Sequence, residues 1–406
     1  MTEKLSTGNG LSELRSPESL ELAQRVAQLF GYIPATVSAT IRSLMLDHLK
    51  GAKSTRSNVL FHVQRLYRVP SVKVCLYSLS QAFRHDEFEK CAAFTAEELI
   101  DWWLPDQIAA VFGLIYLTKR AKTICSPDEW QFVSSLIQDQ ANLGLIVGEA
   151  IPRIGSASAL LVGALPCAAL AAIQRQDGKG FKEYRRHLKA NGLILDHAYE
   201  YQKWGCDSVQ IAASLAQMIG LGIPTADSLT KMLHTLFAND EEIVLDALRL
   251  PVAYCWITSL NLSGKPPEDL DFERLGELNP DATTIDRMID LSEKAKAGST
   301  EYRWLEKTKL DIGSALTPKL SMEKSVPAKK ASAAPESVPV TAAPEPEREP
   351  EVAAQVEASA SEPDASDELS YSKVLPELRE MISEDEFNSM SLEERRQLIG
   401  DGSPQF

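Results

Sequence analysis

The fold is decided by a stretch that opens with an apolar run, ASALLVGALPCAALAAI (Ala157–Ile173). The run contains no charged residue, and a helix that is apolar on every side is buried in a fold or in a membrane. It is shorter than the roughly 20 apolar residues that a bilayer requires, and Gly163 and Pro166 interrupt it. We therefore expect a central buried helix of an all-α domain, with no membrane contact.

Two segments follow this run. The first is a basic link, GKGFKEYRRHLK (Gly178–Lys189), and the second is EYQKWGCDSVQIAASLAQMIGLGIP (Glu200–Pro224). After Gly205 the second segment becomes amphipathic, with Val209, Ala212, Ala213 and Ala216 roughly on one face. This pattern predicts a partner helix packed against the central one.

Helical patterns continue through most of the chain. Start signals, in which Ser or Thr precedes Pro or a pair of acidic residues, occur at Ser16, Thr95 and Ser126. Apolar spacing predicts further helices over 35–50, 59–67, 70–83, 96–103, 105–121, 127–149, 225–237, 240–260, 281–297 and 300–312. Pro251 is expected to kink the helix that contains it. We find no sustained alternation of period two, so the body is predicted to be all-α.

Composition places the chain among globular proteins. It has 406 residues, 44% hydrophobic and 24% charged, with a net charge of −15. Residues 321–406 contribute −11 of that charge, so the body is nearly neutral and the tail is acidic. The six cysteines have no metal-binding spacing and are interpreted as buried, reduced thiols. With no signal peptide recognised, we expect a cytoplasmic protein that needs no cofactor.

Composition also suggests the domain boundaries. After about Pro318 the composition changes sharply, and Ser321–Ser366 is rich in Pro, Ala and Glu and contains no aromatic residue, which is typical of disorder. We predict an N-terminal helical extension over 1–57, a main domain over 58–263, accessory helices over 264–318, a disordered linker over 319–366 and an acidic helical tail over 367–406.

The central stretch resembles a known family. The order G-A-L-P-C-A-A at Gly163–Ala169, followed by E-x-x-x-W-G-C-D-S-x-x-I-A-A-S-L at Glu200–Leu215, is similar to an HDOD domain, a relative of the HD metal-dependent phosphohydrolases. The similarity covers about 105–237. It implies an HD-like helical domain that serves as a protein-interaction platform in signalling. The metal-ligand positions that the resemblance implies are occupied here by Pro166, Cys167 and Ser208, so we expect no metal and no catalysis.

An enzymatic alternative remains. A divergent phosphohydrolase would use His197, Asp207 and His234, with Asp196 as a further possible metal ligand. Cys206 or Ser208 together with His197 is a weaker candidate for a nucleophilic pair, since no local catalytic signature surrounds them. Trp204 is expected to pack the loop beside this region. The adjacent pair Trp102 and Trp103 is interpreted as core, with an exposed docking site as the alternative.

The basic link offers a different function. Lys179, Lys182, Arg185, Arg186 and Lys189 fall within eleven residues, interleaved with aromatic side chains. Such a cluster favours a nucleotide or another anion, with nucleic acid unlikely, while an ordinary solvated helix face is the alternative. We expect Lys182, Arg185 and Arg186 to share a solvent-facing side of one helix.

The tail carries a candidate docking helix. Val374, Leu378, Met381 and Ile382 follow helical spacing, and we expect a helix that begins near Ser372 or Lys373. On a flexible tether, this acidic helix is suited to docking on a protein partner or back on the body. The leading hypothesis is therefore a non-catalytic regulatory module with a tethered docking tail.

Overall fold

The computed structural model describes most of the body and parts of the tail. In the body it describes residues 16–51, 57–91, 94–237, 245–268, 270, 275–298 and 302–307. In the tail it describes residues 370–374, 379, 382, 384–388, 392, 395 and 399. The predicted linker, 319–366, and the tail residues Leu378 and Met381 lie outside these ranges.

The described residues are helical and contain no strand, which confirms the all-α prediction. The α-helices are α1 Pro17–Ala27, α2 Ala35–Leu49, α3 Ser57–Tyr67, α4 Pro70–Phe83, α5 His85–Lys90, α6 Ala96–Trp102, α7 Pro105–Ile124, α8 Pro127–Ala150, α9 Ser156–Gln176, α10 Gly178–Asn191, α11 His197–Trp204, α12 Ser208–Met218, α13 Ile223–Phe237, α14 Leu245–Ser263, α15 Ala282–Lys296 and α16 Glu384–Asn388. The short helices α5 and α11 were not predicted, and α14 runs through Pro251 as expected.

The hairpin of α8 and α9 forms the centre of the body. Their backbones approach so closely that a Cβ on Gly144 would lie 2.5 Å from the carbonyl oxygen of Ala159. A Cβ on Gly163 would likewise lie 2.5 Å from the carbonyl oxygen of Gln140. Because both helices carry glycine at the contact, they pack closer than larger side chains would allow. Gly163 therefore serves the packing of the central helix.

The central helix is buried, as predicted, but it is longer than the sequence suggested. By length and composition α9 is able to cross a membrane, a test that the core helix of a soluble protein also passes. Helices α7, α8, α12 and α14 cover it, and its most apolar window is almost entirely buried. This burial favours the interpretation of α9 as a core helix.

The N-terminal helices contact the predicted main domain. Helix α1 packs on α12, where the Gln210 side-chain amide donates to the hydroxyl of Ser19 over 3.0 Å. Helix α2 packs along α7. The domain boundaries proposed at residues 57, 263, 318 and 366 stay predictions. The contacts of α1 with α12 and of α2 with α7 join residues on the two sides of the boundary at 57.

The structure contradicts one predicted helix in the part of it that is described. Residues 302–307 form turns, although a helix was predicted over 300–312. Tyr302, Trp304 and Leu305 are nevertheless buried. We call residues 302–307 the strap, because polar side chains of α8 bind its backbone. Trp304, fully buried, is its largest side chain in the core. The spacing of these apolar residues resembled a helix, but their burial comes from docking on α8.

Polar side chains of α8 hold the strap in place. Asn142 donates from Nδ2 to the carbonyl oxygen of Tyr302 over 2.8 Å, and its Oδ1 accepts from the indole Nε1 of Trp304 over 3.0 Å. The side-chain oxygen of Gln138 accepts from the backbone N–H of Leu305 over 2.8 Å. These bonds satisfy backbone groups that a buried turn leaves without helical partners.

Candidate functional site

Three side chains with metal-ligating atoms meet at the junction of α11 and α12. One ligand atom from each of His197, Glu200 and Asp207 lies within 4.8 Å of the others. His197 Nδ1 lies 3.6 Å from Glu200 Oε2. Glu200 and Asp207 are fully buried, and the His197 side chain is 14% exposed. We call this group the junction cluster.

Local helix signals place the three residues. His197 and Glu200 are three apart on α11, so they share one of its faces. A left-handed turn at Gly205, with φ of 73°, ends α11 and redirects the chain. Asp207 then caps α12, where its side chain accepts from the backbone N–H of Gln210 over 2.8 Å.

Hydrogen bonds hold both carboxylates in position. Glu200 accepts from the hydroxyl of Tyr184 on α10 and, over 2.6 Å, from the backbone N–H of Ser208. The pKa of Asp207 is raised to about 6: burial is the largest cause, nearby His197 lowers the pKa, and the negative charge of Glu200 raises it. The two carboxylates therefore lie close together in a nearly water-free environment.

The two ring nitrogens of His197 have different surroundings. Nε2 is hydrogen-bonded to the hydroxyl of Tyr254 on α14 over 2.7 Å. Nδ1 is fully buried and makes no hydrogen bond to any residue that the structure describes. Burial opposes a charged imidazole, but the Glu200 carboxylate and the further negative charges of Asp207 and Asp196 outweigh it and raise the pKa of His197.

The positions at which the resemblance implies metal ligands do not suit a metal. Pro166 and Cys167 lie inside the buried helix α9, and Ser208 is fully buried at the start of α12. Proline offers no donor atom. Burial and the charge of Glu200 raise the pKa of the Cys167 thiol above its ordinary range, which keeps the sulfur protonated. A metal at this position would lack its normal ligands.

The two remaining predicted metal ligands are Asp196 and His234. Asp196 caps α11 by accepting from the backbone N–H of Tyr199 over 2.9 Å, and it pairs with His187 Nε2 over 2.8 Å. It is therefore engaged outside the junction cluster. His234 lies on α13, but its side chain is outside the described residues. Sequence reasoning missed Glu200 as a ligand, although its position three residues after His197 was a signal.

The nucleophilic pair is not assembled. Burial raises the pKa of the Cys206 thiol to about 12, with the charges of Asp207 and Glu200 adding to it. The hydroxyl of Ser208 has no hydrogen-bond partner and so has no base to activate it. His197 is bonded instead to Tyr254. This arrangement does not suit nucleophilic catalysis.

The tryptophans lie in the body as expected. Trp103 is buried and donates from Nε1 to the Ser80 hydroxyl over 3.1 Å, while Trp102 packs against Phe94 with ring centroids 5.5 Å apart. Trp204 donates to the Asp177 carboxylate over 3.1 Å and thereby ties the end of α11 to the start of α10.

The basic cluster forms only part of the expected surface. Arg185 is half-buried and paired with Glu129 Oε2 over 2.5 Å, and its guanidinium lies 4.8 Å from the ring centroid of Phe132. The expectation that Arg185 faces solvent with its neighbours is therefore wrong. The other four cations of the cluster are exposed and form no ion pair within 4.0 Å with a described carboxylate: Lys179, Lys182, Arg186 and Lys189. We call these four the basic ridge. Asp177 and Glu183 nevertheless lie near enough to feel the charges of two of them, Lys179 and Arg186.

The tail differs from the predicted docking helix. Tyr371–Lys373 form a 3₁₀ turn, and Val374 after it is extended, with ψ of 136°, so no helix that begins at Ser372 contains it. Val374 and Ile382 are buried, as is Phe387 on α16. The hydroxyl of Tyr371 donates to the carbonyl oxygen of Ile382 over 2.7 Å. The Pro376 and Leu378 region, which would decide the rest of the prediction, lies outside the described residues.

Comparisons with known proteins supply no relative. No family model matches the chain, and neither a curated protein nor a solved structure matches it. The HDOD resemblance accordingly stays a prediction that depends on the residues between Gly163 and Leu215.

Proposed function

We propose that this chain is a non-catalytic regulatory module of HDOD type that acts through protein contacts. The observation that carries the proposal is the burial of Pro166, Cys167 and Ser208 in the helical core. A hydrolase of this type needs metal ligands there and an open coordination position for substrate. The side chain of Pro166 has no donor atom, the Cys167 thiol stays protonated and the Ser208 hydroxyl is buried. These three residues therefore supply neither the metal ligands nor the open coordination position.

Exposed apolar side chains support a role in protein contacts. Among the described residues, seven large ones lie on the N-terminal half of the body: Leu20, Leu29, Tyr32, Leu46, Leu49, Phe61 and Leu104. An ion pair of 3.2 Å between His48 and Asp106 brings the end of α2 next to the start of α7. Leu49 follows His48, and Leu104 lies two residues before Asp106, so the backbone segments that carry these two leucines lie near each other. Apolar side chains grouped in this way favour a partner interface.

Capture experiments on the full-length protein test this proposal. Tagged wild type should recover a protein partner from the source lysate, and Leu49→Ser with Leu104→Ser should reduce that recovery severalfold. Leu262→Ser provides the control, since Leu262 is also exposed, on α14. Unchanged recovery in the double variant would place the interface elsewhere.

The tail requires a separate experiment. Removal of residues 320–406 should abolish partner recovery if the tail is the docking element, and leave it intact if the body surface alone binds. If the double leucine variant and the tail deletion each reduce partner recovery, body and tail contact the same partner, and the tether strengthens binding through avidity.

The enzymatic alternative has a direct assay. His197 and Asp207 do lie together, so a divergent phosphohydrolase would hydrolyse a generic phosphodiester such as bis(p-nitrophenyl) phosphate in the presence of Mn²⁺. We expect no turnover above that of the Asp207→Asn variant. Metal-dependent turnover that this variant or His234→Ala removes would contradict the non-catalytic proposal.

Anion binding at the basic ridge is a second candidate function. The observation that favours it is the exposure of Lys182, Arg186 and Lys189 on one helix, where none of them forms an ion pair within 4.0 Å with a described carboxylate. If the ridge binds nucleotides, Lys182→Glu with Arg186→Glu should weaken binding at least tenfold, in a salt-dependent manner. Lys50→Glu with Lys265→Glu gives the same charge change at exposed positions away from α10.

A further inference from the structure

The junction cluster contains more negative charge than its described neighbours neutralise. Glu200 and Asp207 are fully buried, and His197 is the only imidazole among the described residues that lies between them. Buried carboxylates are costly unless they are paired or coordinate a metal. Two buried polar atoms also make no hydrogen bond to any described residue: His197 Nδ1, whose nearest carboxylate oxygen is Glu200 Oε2 at 3.6 Å, and the hydroxyl of Ser208, which is the residue after Asp207.

We propose that His197, Glu200 and Asp207 bind one divalent transition-metal ion, with Zn²⁺ as the best fit. Imidazole nitrogen together with two carboxylates is a donor set that zinc accepts, and the fourth position is open to water or to the Ser208 hydroxyl. The site uses none of the positions that the HD resemblance implies. It goes beyond the proposed regulatory function, because a metal here would fix the fold without catalysing a reaction.

The distances suit a small tetrahedral ion. With bonds of about 2.0–2.2 Å, two ligand atoms of tetrahedral zinc lie about 3.3–3.6 Å apart. His197 Nδ1 and Glu200 Oε2 lie 3.6 Å apart, and the whole set lies within 4.8 Å. Side-chain shifts of about 1 Å would therefore complete the geometry without a change in the helices.

Groups around the cluster already orient the ligands. The hydroxyl of Tyr254 is bonded to His197 Nε2, so Nδ1 is the nitrogen that remains to face an ion. Tyr184 and the backbone N–H of Ser208 hold the two oxygens of Glu200, each of which keeps a further lone pair. Metal-binding histidines and carboxylates are typically held by such outer hydrogen bonds.

Bound metal would join three elements. The ligands come from α11 and from the cap of α12, and Tyr254 connects them to α14. The left-handed turn at Gly205 lies between the ligands. A metal would therefore hold α11 against α12 across that turn.

Zinc binding to the full-length protein tests the proposal. The purified chain is stripped with a chelator, and Zn²⁺ is titrated in competition with a chromophoric chelator. We expect one tight equivalent, weakened more than tenfold by Asp207→Asn, which keeps the helix cap. Tyr254→Phe should weaken binding about tenfold through the loss of an outer hydrogen bond. Asp177→Asn, a capping aspartate outside the cluster, is the matched control.

Cobalt provides a readout that does not depend on the variants. Wild-type protein loaded with Co²⁺ should give the visible absorption of a four-coordinate site, without the near-ultraviolet band of a cobalt–thiolate bond. A thiolate band would place the metal on the cysteines and overturn the proposal. Absence of a tight equivalent, or equal affinity in Asp207→Asn and Asp177→Asn, would overturn it as well. Neither result bears on partner capture, so the proposed function is tested separately.

Discussion

Replacement of Trp304 by alanine tests whether the strap belongs to the body. Its indole is fully buried and donates to Asn142 Oδ1 over 3.0 Å. Truncation of a buried aromatic residue typically costs about 3–5 kcal/mol, because apolar contacts are lost and a cavity is left. Asn142 Oδ1 would also lose a partner, although its neighbour Gln138 donates to the same oxygen over 3.3 Å.

For a body of this size, each kcal/mol shifts the melting temperature by about 2–4 °C. Trp304→Ala should therefore lower the melting temperature by roughly 6–20 °C. Thermal unfolding followed by far-ultraviolet circular dichroism measures the shift, with Tyr32→Ala as the control because Tyr32 is largely exposed. A shift below about 2 °C would refute the packing of the strap.

Three further predictions concern packing, pH and the tail. Gly144→Ala should destabilise the body by about 1–3 kcal/mol, because the new methyl group meets the α9 backbone, whereas Gly178→Ala meets only ordinary contacts; urea unfolding compares the two. Burial alone would raise the pKa of Glu149, but bonds from Arg84 and Ser156 outweigh it and lower that pKa. Glu149→Gln should therefore cost about 1 kcal/mol at pH 7, allowing for partial exposure. That cost should shrink as the pH falls below the ordinary glutamate pKa of about 4.3 and should vanish only below the lowered pKa of folded Glu149; pH-dependent unfolding would show no such convergence if the pairing were unimportant. Deletion of residues 320–406 should leave the melting temperature of the body within about 2 °C of wild type, because the strap is retained; a larger drop would make the tail part of the body.

Local patterns were sufficient to predict most of the helices. The capping box at Thr95 and the serine–proline start at Ser126 lie where α6 and α8 begin. Apolar spacing located the central helix because α9 is buried on every side. The strap was misassigned because Tyr302, Trp304 and Leu305 owe their burial to Gln138 and Asn142, more than 150 residues away in the sequence. Local spacing carries no information about such a contact.

The candidate site was also hard to predict, because local sequence does not show which residues meet in the fold. Asp177, Asp196 and Asp207 each cap a helix in the structure. Only Asp207 joins His197, because the turn at Gly205 folds α12 back against α11. Asp196 is adjacent to His197 in the chain, yet it turns to His187. Distance along the chain therefore does not separate the two aspartates, because the direction in which α11 and α12 pack decides which carboxylates meet the histidine.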